Sequence, residues 1–182
     1  MNATRIARSV ALAGVGALAL AACGGDATET AEALIESEIA EQVGLGDLDA
    51  TCDDPPNNDV GTTYDCTATT ADGQTLTFLT RFTAEDEIFV QPSNVLVASE
   101  IPVIEAEAAR VLGPEIGVEI DPETIECPTA DAIVLPEDGT IDCTIVRPDD
   151  GAVFPLTITL ENFDFDSGFQ NLFVQVGEEP IG

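Results

Sequence analysis

The stretch TYDCTATTADGQTLTFLTRF, Thr63 to Phe82, decides the fold. Before Asp72-Gly73, the residues Tyr64, Cys66 and Ala68 alternate with Asp65, Thr67 and Thr69. After it, Leu76, Phe78, Thr80 and Phe82 keep to one side. Alternation at period two around an Asp-Gly pair predicts an antiparallel hairpin with one face turned to a core. A further short run, EIFVQ from Glu87 to Gln91, predicts another strand. Upstream lies DATETAEALIESEIAEQVGLG. There Ala31, Leu34, Ile35, Ile39 and Val43 form one helical stripe, and Glu32, Glu36 and Glu41 fall outside it. Asp26 followed by Glu29 resembles a capping box, and Gly44 is placed to end the helix.

The same order of features returns downstream. Ile141, Cys143 and Ile145 lead to Asp149-Asp150-Gly151. Phe154, Leu156, Ile158 and Leu160 then alternate with Pro155, Thr157 and Thr159, and NLFVQVG (Asn171 to Gly177) closes the series. Ahead of them Ile101, Ile104, Ala108, Val111 and Leu112 mark a second amphipathic helix. It is capped by Ser99, with Pro102 in its first turn and Gly113-Pro114 as its stop. Cys52 precedes Cys127 by 75 residues and Cys66 precedes Cys143 by 77. The chain therefore reads as a tandem duplication. The expected class is α+β: two tandem repeats, each one helix packed on a three- to four-stranded antiparallel sheet with one intra-repeat disulfide. The expected boundaries are residues 29–94 and 95–182, behind a leader at 1–22 and a tether at 23–28.

Four cysteines, Cys52, Cys66, Cys127 and Cys143, allow three pairings. Duplication favours Cys52–Cys66 with Cys127–Cys143, because each unit had to stand alone before it doubled. A crosslink closing a loop of about 15 residues is worth about 3 kcal/mol in the chain-entropy model. The alternative, a metal site, has neither Cys-x-x-Cys pairs nor histidines to draw on.

The N-terminus carries Arg5 and Arg8 and then an apolar run, Val10 to Leu20, shorter than a bilayer span. Leu20-Ala21-Ala22-Cys23 follows, then Gly24-Gly25. This resembles the lipobox of bacterial lipoproteins, in which the cysteine thiol takes a diacylglyceryl group and becomes the mature N-terminus. The resemblance implies lipidation of Cys23, attachment to the membrane through that lipid, and a place on the extracytoplasmic face of the cell membrane. Multiple acyl chains give stable anchoring where one is marginal.

All 35 acids lie beyond Cys23, with only Arg81, Arg110 and Arg147 as cations; 3 minus 35 leaves a formal charge of −32 on residues 24–182. Such a surface repels nucleic acid and anionic headgroups. It suits divalent cations, a basic protein, or solubility in salt-rich surroundings. Apolar residues make up 45% of the chain, too many for a disordered tail.

Cys127-Pro128, Gly139 four residues ahead of Cys143, and the later Asp150-Gly151 recur as Cys52, Gly61-Thr62-Thr63-Tyr64-Asp65-Cys66 and Asp72-Gly73. This pattern resembles the actinobacterial domain of unknown function 4333, in two copies across residues 29–177. Asp53 stands where that family has proline, and Ile141 where it has an aromatic. The resemblance implies a secreted or lipid-anchored envelope protein with small disulfide-bonded domains, and no activity.

Enzyme chemistry has little to work with. Histidine is absent, which excludes Ser-His and Cys-His machinery. The acids stand in no distinctive pair, so no catalytic residue, metal site or cofactor is expected. ENFDFDSGFQN spaces Asn162, Asp164 and Asp166 like the start of a calcium loop. However, Ser167 and Phe173 occupy the positions that need glycine and glutamate, so the stretch reads as a hairpin turn at Asp166-Ser167-Gly168. Two roles are left: a binding module with an extracytoplasmic protein partner, or a passive envelope component. In outline the units also resemble secreted beta-lactamase inhibitor proteins, which would make the partner a secreted enzyme. Phe89, Phe163, Phe165, Phe169 and Phe173 are the aromatic candidates for a binding face; their spacing reads as core.

Overall fold

The computed structural model describes residues 18–21, 26–85 and 87–181. The class is α+β, with antiparallel sheets, helical segments and two disulfides. The described chain divides into two compact units, residues 18–97 with 131–134, and residues 98–130 with 135–181.

In the first unit, strand β1 (Leu18–Ala21) precedes helix α1 (Ala27–Leu34). Asp26 caps α1 by accepting from the Thr28 amide at 3.1 Å. The helix continues as a π-helical turn, Ile35–Ile39, and then α2 (Ala40–Val43). Gly44, at φ 67°, stops it in the left-handed conformation glycine tolerates. The strands are β2 (Leu48–Cys52), β3 (Thr63–Thr70), β4 (Thr75–Ala84) and β5 (Glu87–Pro92). They form an antiparallel sheet in the order β1-β5-β4-β3-β2. Thr70 and Gln74 close the hairpin, and Gly73 takes φ 86° within it.

Burial along β3 and β4 alternates as the period-two pattern predicts. Tyr64, Cys66, Ala68, Leu76, Phe78 and Phe82 are buried, and they meet Ala31, Leu34, Ile35, Ile39 and Val43 of the helix in one cluster. Each fully buried Leu, Ile or Phe of this kind stabilises the fold by about 1.5–3 kcal/mol. A short ladder, β6 (Val95–Val97) with β8 (Ala132–Val134), completes this unit. Those three residues lie far along the chain, beyond the expected boundary at 94/95. They belong here because Val95 sits in the core cluster and Ala132 and Val134 pack against it.

The second unit begins with α3 (Ile101–Ile116). The sequence places its stop at Gly113-Pro114, but the helix runs on to Gly117, which takes φ 75°. Gly113 leaves room for the chain that returns past it. A Cβ there would come within 2.8 Å of the Val118 carbonyl oxygen, and the Gly113 carbonyl accepts from the Gly117 and Val118 amides. Ser99 does not cap α3; Glu100 holds that place without a side-chain cap. The strands β7 (Ile125–Glu126), β9 (Thr140–Val146), β10 (Val153–Asp164) and β11 (Gly168–Val176) form a sheet in the order β11-β10-β9-β7. Helix α3 lies against β11 and β7. Ile104, Ala108, Ile141, Leu156, Ile158 and Leu160 are all buried.

Candidate functional site

Each cysteine pair joins two neighbouring strands. Cys52, the last residue of β2, stands directly opposite Cys66 of β3 in the ladder. Their sulfurs are bonded at 2.03 Å. Cys127 follows β7 directly, where Ile125 pairs with Ile145 and Glu126 with Thr144. It is therefore next in register to Cys143 of β9, and those sulfurs are bonded at 2.01 Å. In the first unit the Thr80 hydroxyl, fully buried, lies 3.4 Å from Cys66 Sγ. A disulfide sulfur carries no proton, so the hydroxyl donates. Cys23, the candidate lipidation residue, lies outside the described residues.

Carboxylates from the helices reach both cysteine neighbourhoods. The Cys52 amide donates to Glu32 Oε1 at 2.9 Å, and the Ala50 amide donates to Glu36 Oε1 at 3.0 Å. These are alternate amides on the outer side of β2, held by two acids one helical turn apart. In the second unit the Cys127 amide donates to Glu105 Oε1 at 3.1 Å. By sequence Glu32 and Glu36 are marked only as lying outside the apolar stripe. No spacing signal marks such residues, because their partners are backbone groups distant in the chain.

Tyr64 ties the first sheet to the start of its helix. Its hydroxyl donates to the Ala27 carbonyl at 3.1 Å. Burial pushes its ionisation up to about 12, with the nearby charges of Asp26 and Glu32 adding to the rise. At the second unit's hairpin, Arg147 grips Asp150 through Nε–Oδ1 at 2.8 Å and Nη2–Oδ2 at 2.6 Å, which holds that exposed carboxyl down at about 2. The Arg147 guanidinium also lies 4.9 Å from the Phe154 ring centre.

The acids of the calcium-like stretch serve a turn. Asp164 Oδ1 accepts from the Asp166 and Ser167 amides, each at 3.1 Å, and from the Ser167 hydroxyl. The strands meet again at Asp164 and Gly168, one step before the expected turn. Among the described residues no group of three acids or cysteines is placed to hold a metal ion. The candidate phenylalanines form no exposed cluster: Phe169 is buried, Phe163 meets it edge-on at 5.3 Å, and Phe89, Phe165 and Phe173 are half-buried. A shallow cavity of about 550 Å³ lies at the end of α3, between Ala109, Arg110, Gly113, Pro114, Val118 and Ile120. Its one cation, Arg110, is engaged by Glu107. Among the described residues no helix is long and apolar enough to cross a membrane.

Comparison with family models, with curated proteins and with solved structures finds no match to this chain.

Proposed function

We propose that this chain is an extracytoplasmic lipoprotein, anchored through a diacylglyceryl group on Cys23, and that its folded part is a non-catalytic binding module. The observation that carries the reading is Leu20-Ala21-Ala22-Cys23, set behind Arg5, Arg8 and a short apolar run. Two disulfides support it, since such bonds persist in oxidising compartments outside the cytoplasm. The formal charge of −32 on residues 24–182 keeps nucleic acid and anionic headgroups from the folded part.

The folded part is proposed to be two copies of one ancestral unit, each resembling the actinobacterial domain of unknown function 4333. Beyond the cysteine spacing, Glu32 and Glu105 support this. In each unit a helix glutamate accepts from the amide of the first cysteine of the pair. A site for small-molecule chemistry has no comparable support, so the working surface is one that meets a macromolecule.

Membrane fractionation of the wild type and of Cys23→Ser tests the anchor. The wild type is expected in the membrane fraction with a lipid-modified N-terminus. Cys23→Ser is expected to lose the lipid and the processing that depends on it. Equal membrane association and identical N-terminal mass for the two forms would overturn the reading.

A further inference from the structure

The two ends of the first sheet are treated differently. On β2, Glu32 and Glu36 occupy the outward amides of Cys52 and Ala50, which closes that edge. On β5 the outward backbone groups are those of Ile88 and Val90. Its edge is covered instead by β1, paired antiparallel in the register Leu18↔Val90, Ala19↔Phe89, Leu20↔Ile88 and Ala21↔Glu87. β1 lies ahead of Cys23. Processing at Cys23, the reading on which this inference rests, removes it and takes the paired strand away from the outward N–H and C=O groups of Ile88 and Val90.

We propose that the β5 edge of the mature protein is a strand-accepting site, which takes an extended apolar peptide segment of a partner in antiparallel register. The chain's own Leu-Ala-Leu-Ala segment displays the chemistry that fits: four residues, uncharged and extended. Main-chain hydrogen bonds supply the affinity in this mode of recognition, and alternate side chains supply the selectivity. Residues 88–90 carry no proline and no charge to blunt the edge; Pro92 ends the strand beyond the ladder. Charge favours a partner over a second copy, because two mature chains near −32 repel each other while an uncharged or basic strand meets no such opposition.

The test uses the mature protein purified from membranes, with its N-terminal mass read first. It is then titrated with a synthetic peptide of residues 1–22, and with the same peptide carrying Leu20→Pro. Both peptides bear Arg5 and Arg8, so charge attraction is equal, but the second cannot complete the ladder. The expected result is binding of the first peptide at least about tenfold tighter than the second, with slowed exchange of the Ile88 and Val90 amides. Equal binding of the two peptides overturns the proposal, as does a dimer of the protein alone that protects the same amides. A chain that begins at Cys23 and binds neither peptide overturns the edge site and leaves the lipoprotein reading standing. A chain that keeps Met1 overturns both.

Discussion

Tyr64 is the one tyrosine of a chain that has no tryptophan, so phenolate absorbance follows this residue alone. In the folded protein its pKa rises from 10.0 to about 12, chiefly through burial. The folded state therefore keeps a proton that the unfolded chain gives up over that window. The stability linked to Tyr64 is present in full below pH 10 and is lost as pH climbs through about 12. A spectrophotometric titration should place the native midpoint near 12 and the urea-unfolded midpoint near 10. Tyr64→Phe should remove that high-pH component and cost about 1 kcal/mol at neutral pH, from the lost bond to Ala27. Glu32 makes a second prediction at this scale. Glu32→Ala strips the Cys52 amide of its acceptor and should cost about 1–3 kcal/mol in denaturant unfolding. Glu32→Gln keeps an oxygen there and should cost less. An unchanged midpoint for Glu32→Ala would mean that water replaces the carboxylate at no cost.

At the scale of elements, the strands were the most legible part of the chain. Period-two alternation reports a half-buried sheet directly, and Asp-Gly marks the reversal, so the buried rows at Tyr64–Ala68 and Ile141–Ile145 follow from pattern alone. The helix stripes were legible for the same reason. What pattern missed depends on distant partners. Pro114 lies inside α3, and the chain returns past Gly113, an approach no local rule encodes. Ala132–Val134 is too short, and too close to turn residues, to announce a strand; its place comes from Val95–Val97. The Glu32, Glu36 and Glu105 contacts were invisible because an acid beside an apolar stripe looks the same whether it faces water or a strand edge. The disulfides carry the prediction at this scale. Cys52→Ser/Cys66→Ser frees a crosslink of sequence separation 14 and should cost about 3 kcal/mol, read as a lower denaturant midpoint. The Cys127→Ser/Cys143→Ser pair should cost a similar amount.

For the whole molecule the dominant quantity is charge. With 35 acids and five arginines, self-repulsion opposes the compact state and weakens as salt screens it. Raising ionic strength from about 0.1 to about 1 M shortens the screening length from about 10 to about 3 Å, so the thermal midpoint should rise over that range. A flat response would show that the acids are spaced widely enough to ignore one another. The same scale holds the central claim, that the chain works outside the cytoplasm on a lipid anchor with its four other cysteines paired. An intact mass of the protein extracted from host membranes without reduction tests all of this at once. The account predicts a chain beginning at Cys23, heavier by a diacylglyceryl group and lighter by the hydrogens of two disulfides. A chain beginning elsewhere, or a free thiol at Cys23, would contradict it.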